Sequence, residues 1–473
     1  MVDIIDDEGR LFGAVNIIDA LVVLLVLAVT VAGVALVFGQ SDEPAPEPEP
    51  ETDTVYATLD LGTQSSTIAT VINEGDTYEV TDSNSLTISD LYVTPNGDGR
   101  PRVLARVALT GQLSDQYDGI SYDGAPPRLG RTLEIVTGEY RVDGRIRALG
   151  DAQTISQDPA TVVVSDRLSR SAAQAIAVGD AIRVAGRTTG TVEDLAVYAT
   201  DDPNAHQVYA QLNVSATQRQ GELRFGGSIL TNGASITLPG DEYTLSGTVE
   251  RVGGGLDRAT RNVLITNVID ATDTKQITPG DISSVAGYRT AAVERVTVYD
   301  TNNPDRKRVF MGLSLTTVQH TDRPQFGEMT VQRGNNVSVQ TDAYRLVGQI
   351  QRTGALEQRG RVTTRTMTFR LAGVREGRAS SIQPGLTERS GEDTIVQVTD
   401  VNRRPSTILI RGDDGSLGVF DHPTNRDVTI TARVQVRQTT DGVRVKGQPV
   451  RQGEQVTIDL GVTTIRPTVT GIQ

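Results

Sequence analysis

His206, His320 and His422 are the only imidazoles that could shuttle a proton or ligate a metal, and they lie far apart in a 473-residue chain without cysteine. None has a second histidine at metal-ligand spacing, and a loop or surface position is expected for each. No serine sits in the Gly-x-Ser-x-Gly frame of a nucleophile elbow. The missing cysteines exclude disulfides, thiolate metal sites and cysteine nucleophiles. Carboxylates recur more suggestively: Asp76, Asp180 and Asp281 each close an Ile-x-x-Gly-Asp motif. Calcium needs several oxygen ligands together, whereas each motif offers one carboxylate. A turn suits the motif better, with glycine taking a left-handed conformation and aspartate bonding nearby backbone. The loop Asn96-Gly97-Asp98 reads the same way. The expectation is a non-enzymatic protein with no catalytic, cofactor-binding or metal-binding residue and no cofactor.

The elements that carry these motifs are strands. From Thr54 onward, short alternating segments are separated by Gly, Asp, Asn and Pro turns, an all-β signature. The segments repeat. The Gly-Asp markers at Gly75, Gly179 and Gly280 are 104 and then 101 residues apart. Thirteen residues after each glycine a strand opens at Ile88, Val192 or Val293. A turn and a return strand follow (RVLARVAL, QVYAQLNV, RVFMGLSL). Each copy closes on Tyr-x-x-x-Gly, at Tyr140, Tyr243 and Tyr344. These tyrosines are expected in the core, with the hydroxyl satisfied at its rim. A degraded fourth copy keeps Ile382 and Gly385 but lacks the aspartate, and VQVTDVNRRPSTILI at 396–410 resembles the central hairpin. The expected units are 54–150, 151–255, 256–355 and a degenerate 356–473, each a small β-barrel or sandwich.

Before the repeats, residues 20–39 read ALVVLLVLAVTVAGVALVFG, without a charge. At about 1.5 Å per residue, a helix of this length reaches across the roughly 30 Å of a hydrocarbon core. A cleaved signal peptide is the alternative, although the acidic start MVDIIDDEGR and the full-length apolar run suit a retained anchor better. Arg10 on the N-terminal side favours a cytoplasmic head at 1–19 and an extracellular body. Residues 40–53, containing SDEPAPEPEPETD, form an acidic, Pro-rich linker that favours extended, semi-rigid conformations.

The net charge is −14, and only Lys275, Lys307 and Lys446 among 45 basic residues are lysine. An acidic, arginine-rich chain of this kind suits a halophile, because high salt screens its self-repulsion. The arginines are scattered, so nucleic acid is not an expected partner. The sequons at Asn213 and Asn336 both fall in the body, as an external orientation requires.

The lead-in DDEGRLFGAVNIIDALVVLLVL, with units of the Ile-x-x-Gly-Asp … Tyr-x-x-x-Gly form, resembles the uncharacterised domain-of-unknown-function family numbered 4330, whose members look membrane-anchored. In the second unit, Gly179, Ile182, Gly186, Gly190, Val192 and Leu195 resemble the opening of a mammalian-cell-entry (MCE) domain. That resemblance implies small β-barrels behind one N-terminal transmembrane helix, assembled into rings that pass lipids. Two functions follow as expectations. The first is a single-pass surface protein that projects tandem β-domains as a structural or binding scaffold. The second is an oligomeric carrier or conduit for lipid or another apolar cargo. The expected partners are the lipid bilayer through residues 20–39 and, for the conduit, further copies of the chain.

Overall fold

The computed structural model describes residues 10–11, 15–16, 22–30, 51–320, 323–411 and 417–473. Residues 22–30 are helical. Among the described residues no helix is long and apolar enough to cross a membrane. Arg10–Leu11 pairs with Val15–Asn16, and most of the expected head, span and linker lies outside the described residues. The first long strand, Thr52–Thr63, begins inside the stretch read as linker.

The body is all-β and consists of four large antiparallel sheets in succession, with a two-stranded ribbon, Ile458–Asp459 and Thr464–Ile465, beside the fourth. In the first, strands run in the order Thr77–Thr81, Asn84–Thr94, Arg102–Leu113, Thr52–Thr63, Arg141–Gly150, Thr132–Val136. The second sheet (158–252) and the third (258–353) repeat that order. The fourth (361–472) keeps its first four strands and closes with Thr468–Ile472. Alternation sets the inner face of each strand. In Arg102–Leu113 the residues Val103, Ala105, Val107 and Leu109 are all fully buried. A bulge falls at the same place in every central hairpin, at Ile88/Asp90, Val192/Asp194, Val293/Arg295 and Val398/Asp400. A second bulge falls in every lead strand. Bulges bend the strand and increase its twist, so each sheet curls into a barrel-like shell around its own apolar cluster.

Short helices plug three of these shells, a departure from the helix-free body that the sequence suggests. They are Ser66–Val71, Arg170–Ala175 and Glu376–Ser381, and each buries one alanine completely (Ala69, Ala173, Ala379). Ser65 and Ser169 cap the first two by accepting bonds from the backbone N–H of Ile68 and Ala172. Six residues are too few to register a helical period.

The fourth sheet has one outgrowth. Its central hairpin, Asp393–Arg411 and Leu417–Thr439, runs past the rest of the sheet, with Ile408 opposite Phe420 and Leu409 opposite Val419. Successive strand residues point to opposite faces. This arm therefore shows apolar side chains on both, and Leu409 (69%), Val419 (65%) and Phe420 (53%) are open to solvent.

Candidate functional site: the locks and the junctions

The repeated landmarks meet in space. The glycines at 75, 179, 280 and 385 all have φ between +90° and +99°, which side-chain-bearing residues avoid. Each donates its N–H to the strand residue thirteen positions on, Ile88, Val192, Val293 or Val398, at 2.7–2.8 Å. The following residue accepts the return bond from that same strand residue. The aspartates fasten the turn from within. Asp76, Asp180 and Asp281 accept the N–H of Asn73, Ala177 and Thr278 at 2.8, 2.8 and 2.9 Å. The closing tyrosines then reach the same carboxylates: Tyr140 donates to Asp76 at 2.5 Å and Tyr344 to Asp281 at 2.8 Å. Tyr243 stands by Asp180, and burial and that carboxylate raise the pKa of its hydroxyl.

The glycine four residues after each tyrosine lets this strand lie against the lead strand. A Cβ at Gly144 would come within 2.6 Å of Leu61, and one at Gly348 within 2.6 Å of Ile265. The fourth sheet lacks both halves of the lock together: Leu386 stands where the aspartate would be and Thr463 where the tyrosine would be, with the surrounding backbone bonds retained.

The motif is thus a turn and a strut. Among the described residues no group of His, Asp and Glu could hold a metal. Asn96, Gly97 and Asp98 also form a turn, in which Asp98 accepts the N–H of Arg100 at 2.9 Å. The histidines stay apart. His206 is buried, contrary to the loop or surface position its sequence suggests, and burial holds its pKa below the ordinary value. His422 lies in the arm, where its ring accepts the N–H of Asn425 at 3.1 Å. His320 ends the strand Arg306–His320. Asn336 is exposed, whereas Asn213 is half-buried between flanking strands.

The second constellation lies between sheets, and the motifs did not reveal it. Tyr92 of the first sheet donates to the backbone oxygen of Ser215 in the second at 2.7 Å. Tyr198 of the second donates to that of Thr316 in the third at 3.1 Å. Ser215 and Thr316 hold the same place in their strands, 101 residues apart. Tyr198 also meets Tyr209 and Phe326 edge-on, with centroids 6.1 and 5.2 Å apart. Tyr209 donates to the Gly327 oxygen at 2.9 Å, so the small hairpin of the third sheet, Arg323–Phe326 with Met329–Thr330, is pinned to the second. The second and third units also plug the core before them. Val184 belongs to the first sheet's apolar cluster and Val285 to the second's.

The connectors are tied down as well. Buried Arg106 donates to the backbone oxygens of Gly150 and Ala152 at 2.9 and 2.7 Å. Gln211, at the equivalent place, accepts the N–H of Leu256 at 2.7 Å. At the third junction Tyr299 lies edge-on to Phe310 at 5.9 Å, and both join the fourth sheet's apolar cluster.

That third junction also buries charge. Lys307 pairs with Asp300 of the third sheet, and Lys446 pairs with Glu388 of the fourth. Asp300 and Glu388 bond to each other across the boundary. Burial pushes the Glu388 carboxyl up to about 8, against the pull of Lys446. Asp300 is half-buried, yet the bonds from Glu388 and Lys307 hold it below its ordinary value. Two of the three lysines in the chain stand here.

Comparison with known families returns a model that matches residues 2–150 and 364–473. The chain belongs to the domain of unknown function family DUF4330. No curated protein matches it. The DUF4330 match spans the first sheet and almost all of the fourth. The unmatched residues between them hold the whole of the second and third sheets, which supply the two equivalent acceptors Ser215 and Thr316.

Proposed function

We propose that this DUF4330 protein is a non-enzymatic, single-pass membrane protein whose four β-units form a stiff scaffold held off the bilayer, with the N-terminus cytoplasmic and the body extracellular. The observation that carries this reading is the repeated junction. At the first two junctions a tyrosine hydroxyl from one unit reaches the same backbone oxygen position in the next, and a valine of the following unit joins the core of the one before. Links of this kind suit a rod that transmits position better than they suit beads on a flexible string. The charge-free stretch at 20–39 and the Pro-Glu spacer support the tether, and the acidic surface suits a saline exterior.

One observation favours a second reading, an MCE-like oligomeric carrier of lipid or another apolar cargo. The two-faced apolar arm at 403–411 and 417–426 leaves Leu409, Val419 and Phe420 uncovered, and further copies gathered around a common axis would cover them. Light scattering on the full chain in detergent, with organic extraction of the purified protein, separates the two. The scaffold requires a monomer without bound lipid; a closed ring carrying extractable lipid overturns it. Protease treatment of intact cells should remove the body, and full protection would reverse the proposed orientation.

A further inference from the structure

The junctions have equivalent clefts with opposite character. Between the second and third units the cleft is nearly closed, about 20 Å³, and lined by Val163, Tyr209, Glu250, Arg251 and Asp257 among others. Between the third and fourth units it opens to about 510 Å³, within the size range of small-ligand sites. The equivalents of Val163, Tyr209, Glu250 and Arg251 are here Leu264, Phe310, Gln351 and Arg352. An acid has become an amide, and the connector adds Gln358 to the wall. Arginines have been added: Arg333, Arg359 and Arg444 join Arg352 in the wall. Four of fourteen lining residues are arginine, where the composition of the chain gives about one, so the enrichment is local and not the general bias. The one carboxylate in the wall is Asp441.

The guanidiniums are held open. Arg352 donates to the Glu357 backbone oxygen at 2.6 Å and Arg444 to that of Gly447 at 3.2 Å, and neither makes an ion pair among the described residues. Arg333 and Arg359 have no ion pair or side-chain hydrogen bond among the described residues. The floor is apolar, formed by buried Leu264 and Phe310. Low polarity beneath charged groups strengthens their interactions with a ligand. Four planar cations facing one carboxylate, in a chain of net charge −14, need a ligand with several negative charges close together. Guanidinium forks match phosphate oxygens two at a time.

We infer that the cleft between the third and fourth units binds a polyanion through its phosphate groups, carried either by a soluble phosphate ester or by a lipid headgroup. This site does not depend on the anchor or on the rod. The test is calorimetric titration of the full chain with inorganic pyrophosphate at fixed salt, beside flotation with phosphatidylcholine vesicles with and without phosphatidic acid. Wild type should saturate with pyrophosphate. Arg333→Ala with Arg359→Ala should weaken binding at least tenfold, as should Gln351→Glu, which restores the acid of the preceding junction. The exposed Arg128→Ala control, in the first unit, should leave it unchanged. Both cleft arginines are exposed, so the variant should keep its melting temperature. Cleft-dependent flotation with phosphatidic acid would assign a headgroup, and pyrophosphate binding without flotation a soluble ligand. No saturable binding to wild type, or equal affinity in the double variant, overturns the proposal.

Discussion

Tyr198 offers the sharpest test of the coupling between units. Its side chain is 1% exposed although it projects from the outer face of its own sheet, so the next unit supplies the burial. Tyr198→Ala should therefore leave the second core intact and damage the junction. Removing a buried aromatic ring costs about 3–5 kcal/mol, which includes two edge-on ring pairs of about 0.5–1.5 kcal/mol each. Tyr198→Phe keeps the rings and removes only the bond to Thr316. That leaves a backbone oxygen unmet, for about 1–2 kcal/mol. Since 1.4 kcal/mol is a factor of ten, a loss of about 3 kcal/mol raises the open population of the junction about a hundredfold. Hydrogen–deuterium exchange on the full chain reads this directly. Amides in 187–199 and 306–320 should exchange about a hundredfold faster in Tyr198→Ala and about tenfold faster in Tyr198→Phe. Those in 102–113, beyond the first junction, should not change. If Tyr198→Ala leaves 306–320 within threefold of wild type, the interface does not couple the units and the rod fails with it. Equal effects of the two variants would refute the assignment of most of the energy to ring packing.

Two further outcomes concern the locks and the buried charges. Tyr344→Phe and Asp281→Ala should each destabilise the third unit by about 1–2 kcal/mol in urea unfolding, with a coupling of about 0.5–1.5 kcal/mol in the double variant, because they share one bond. Additive effects would break the lock reading. At the third junction, Glu388 titrates near its ordinary 4.5 when unfolded and at about 8 when folded. Between those values the folded protein holds a proton that the unfolded chain has released. Its contribution is therefore complete below pH 4.5 and is lost as pH rises through about 8. Asp300, held low, works in the opposite sense and in a separate, more acidic window. Exchange at 387–390 should thus quicken from pH 5 to pH 8.5 beyond its intrinsic rate, and Glu388→Gln should remove that excess. A Gln variant with an unchanged pH dependence would place the titration elsewhere.

The repeat was legible because its landmarks are backbone requirements. Gly75, Gly179, Gly280 and Gly385 sit at positive φ, and no other residue replaces them easily. The tyrosine–aspartate strut was half legible: both partners were visible, but 63 or 64 residues separate them and only the curl of the sheet joins them. The junction tyrosines were not legible. Tyr92 lies two residues earlier in its strand than Tyr198 does, relative to the bulge, so the landmark offsets do not align them although both face the next unit. Strand alternation reports which face a residue occupies, not what covers that face. Lys307 and Lys446 did carry a signal, their rarity, but rarity in a sequence cannot name a partner. His206 misled because its strand is buried on both sides by the stacking of units.

The stacking geometry also explains why the fourth unit differs. At the positions that carry Thr297 and Tyr299 in the third sheet, it has Asn402 and Arg404, and Thr429 replaces Phe310; all three polar residues are exposed. A fifth unit docked there would have to strip water from an arginine and an amide without the ring contacts that repay it elsewhere. The fourth unit therefore presents a polar cap of the kind that closes repeat arrays. Freed from docking forward, its central hairpin can lengthen into the arm, and freed from the lock, its turn can exchange aspartate for Leu386. The same relaxation reaches backward. The junction it shares with the third unit replaces the Tyr198-type bond with a buried lysine–carboxylate cluster on one side and the arginine-walled cleft on the other. Only the Tyr198 junction lies wholly in the copies that the DUF4330 match leaves out, and the chemical variety gathers at the fourth unit, whose forward face is polar.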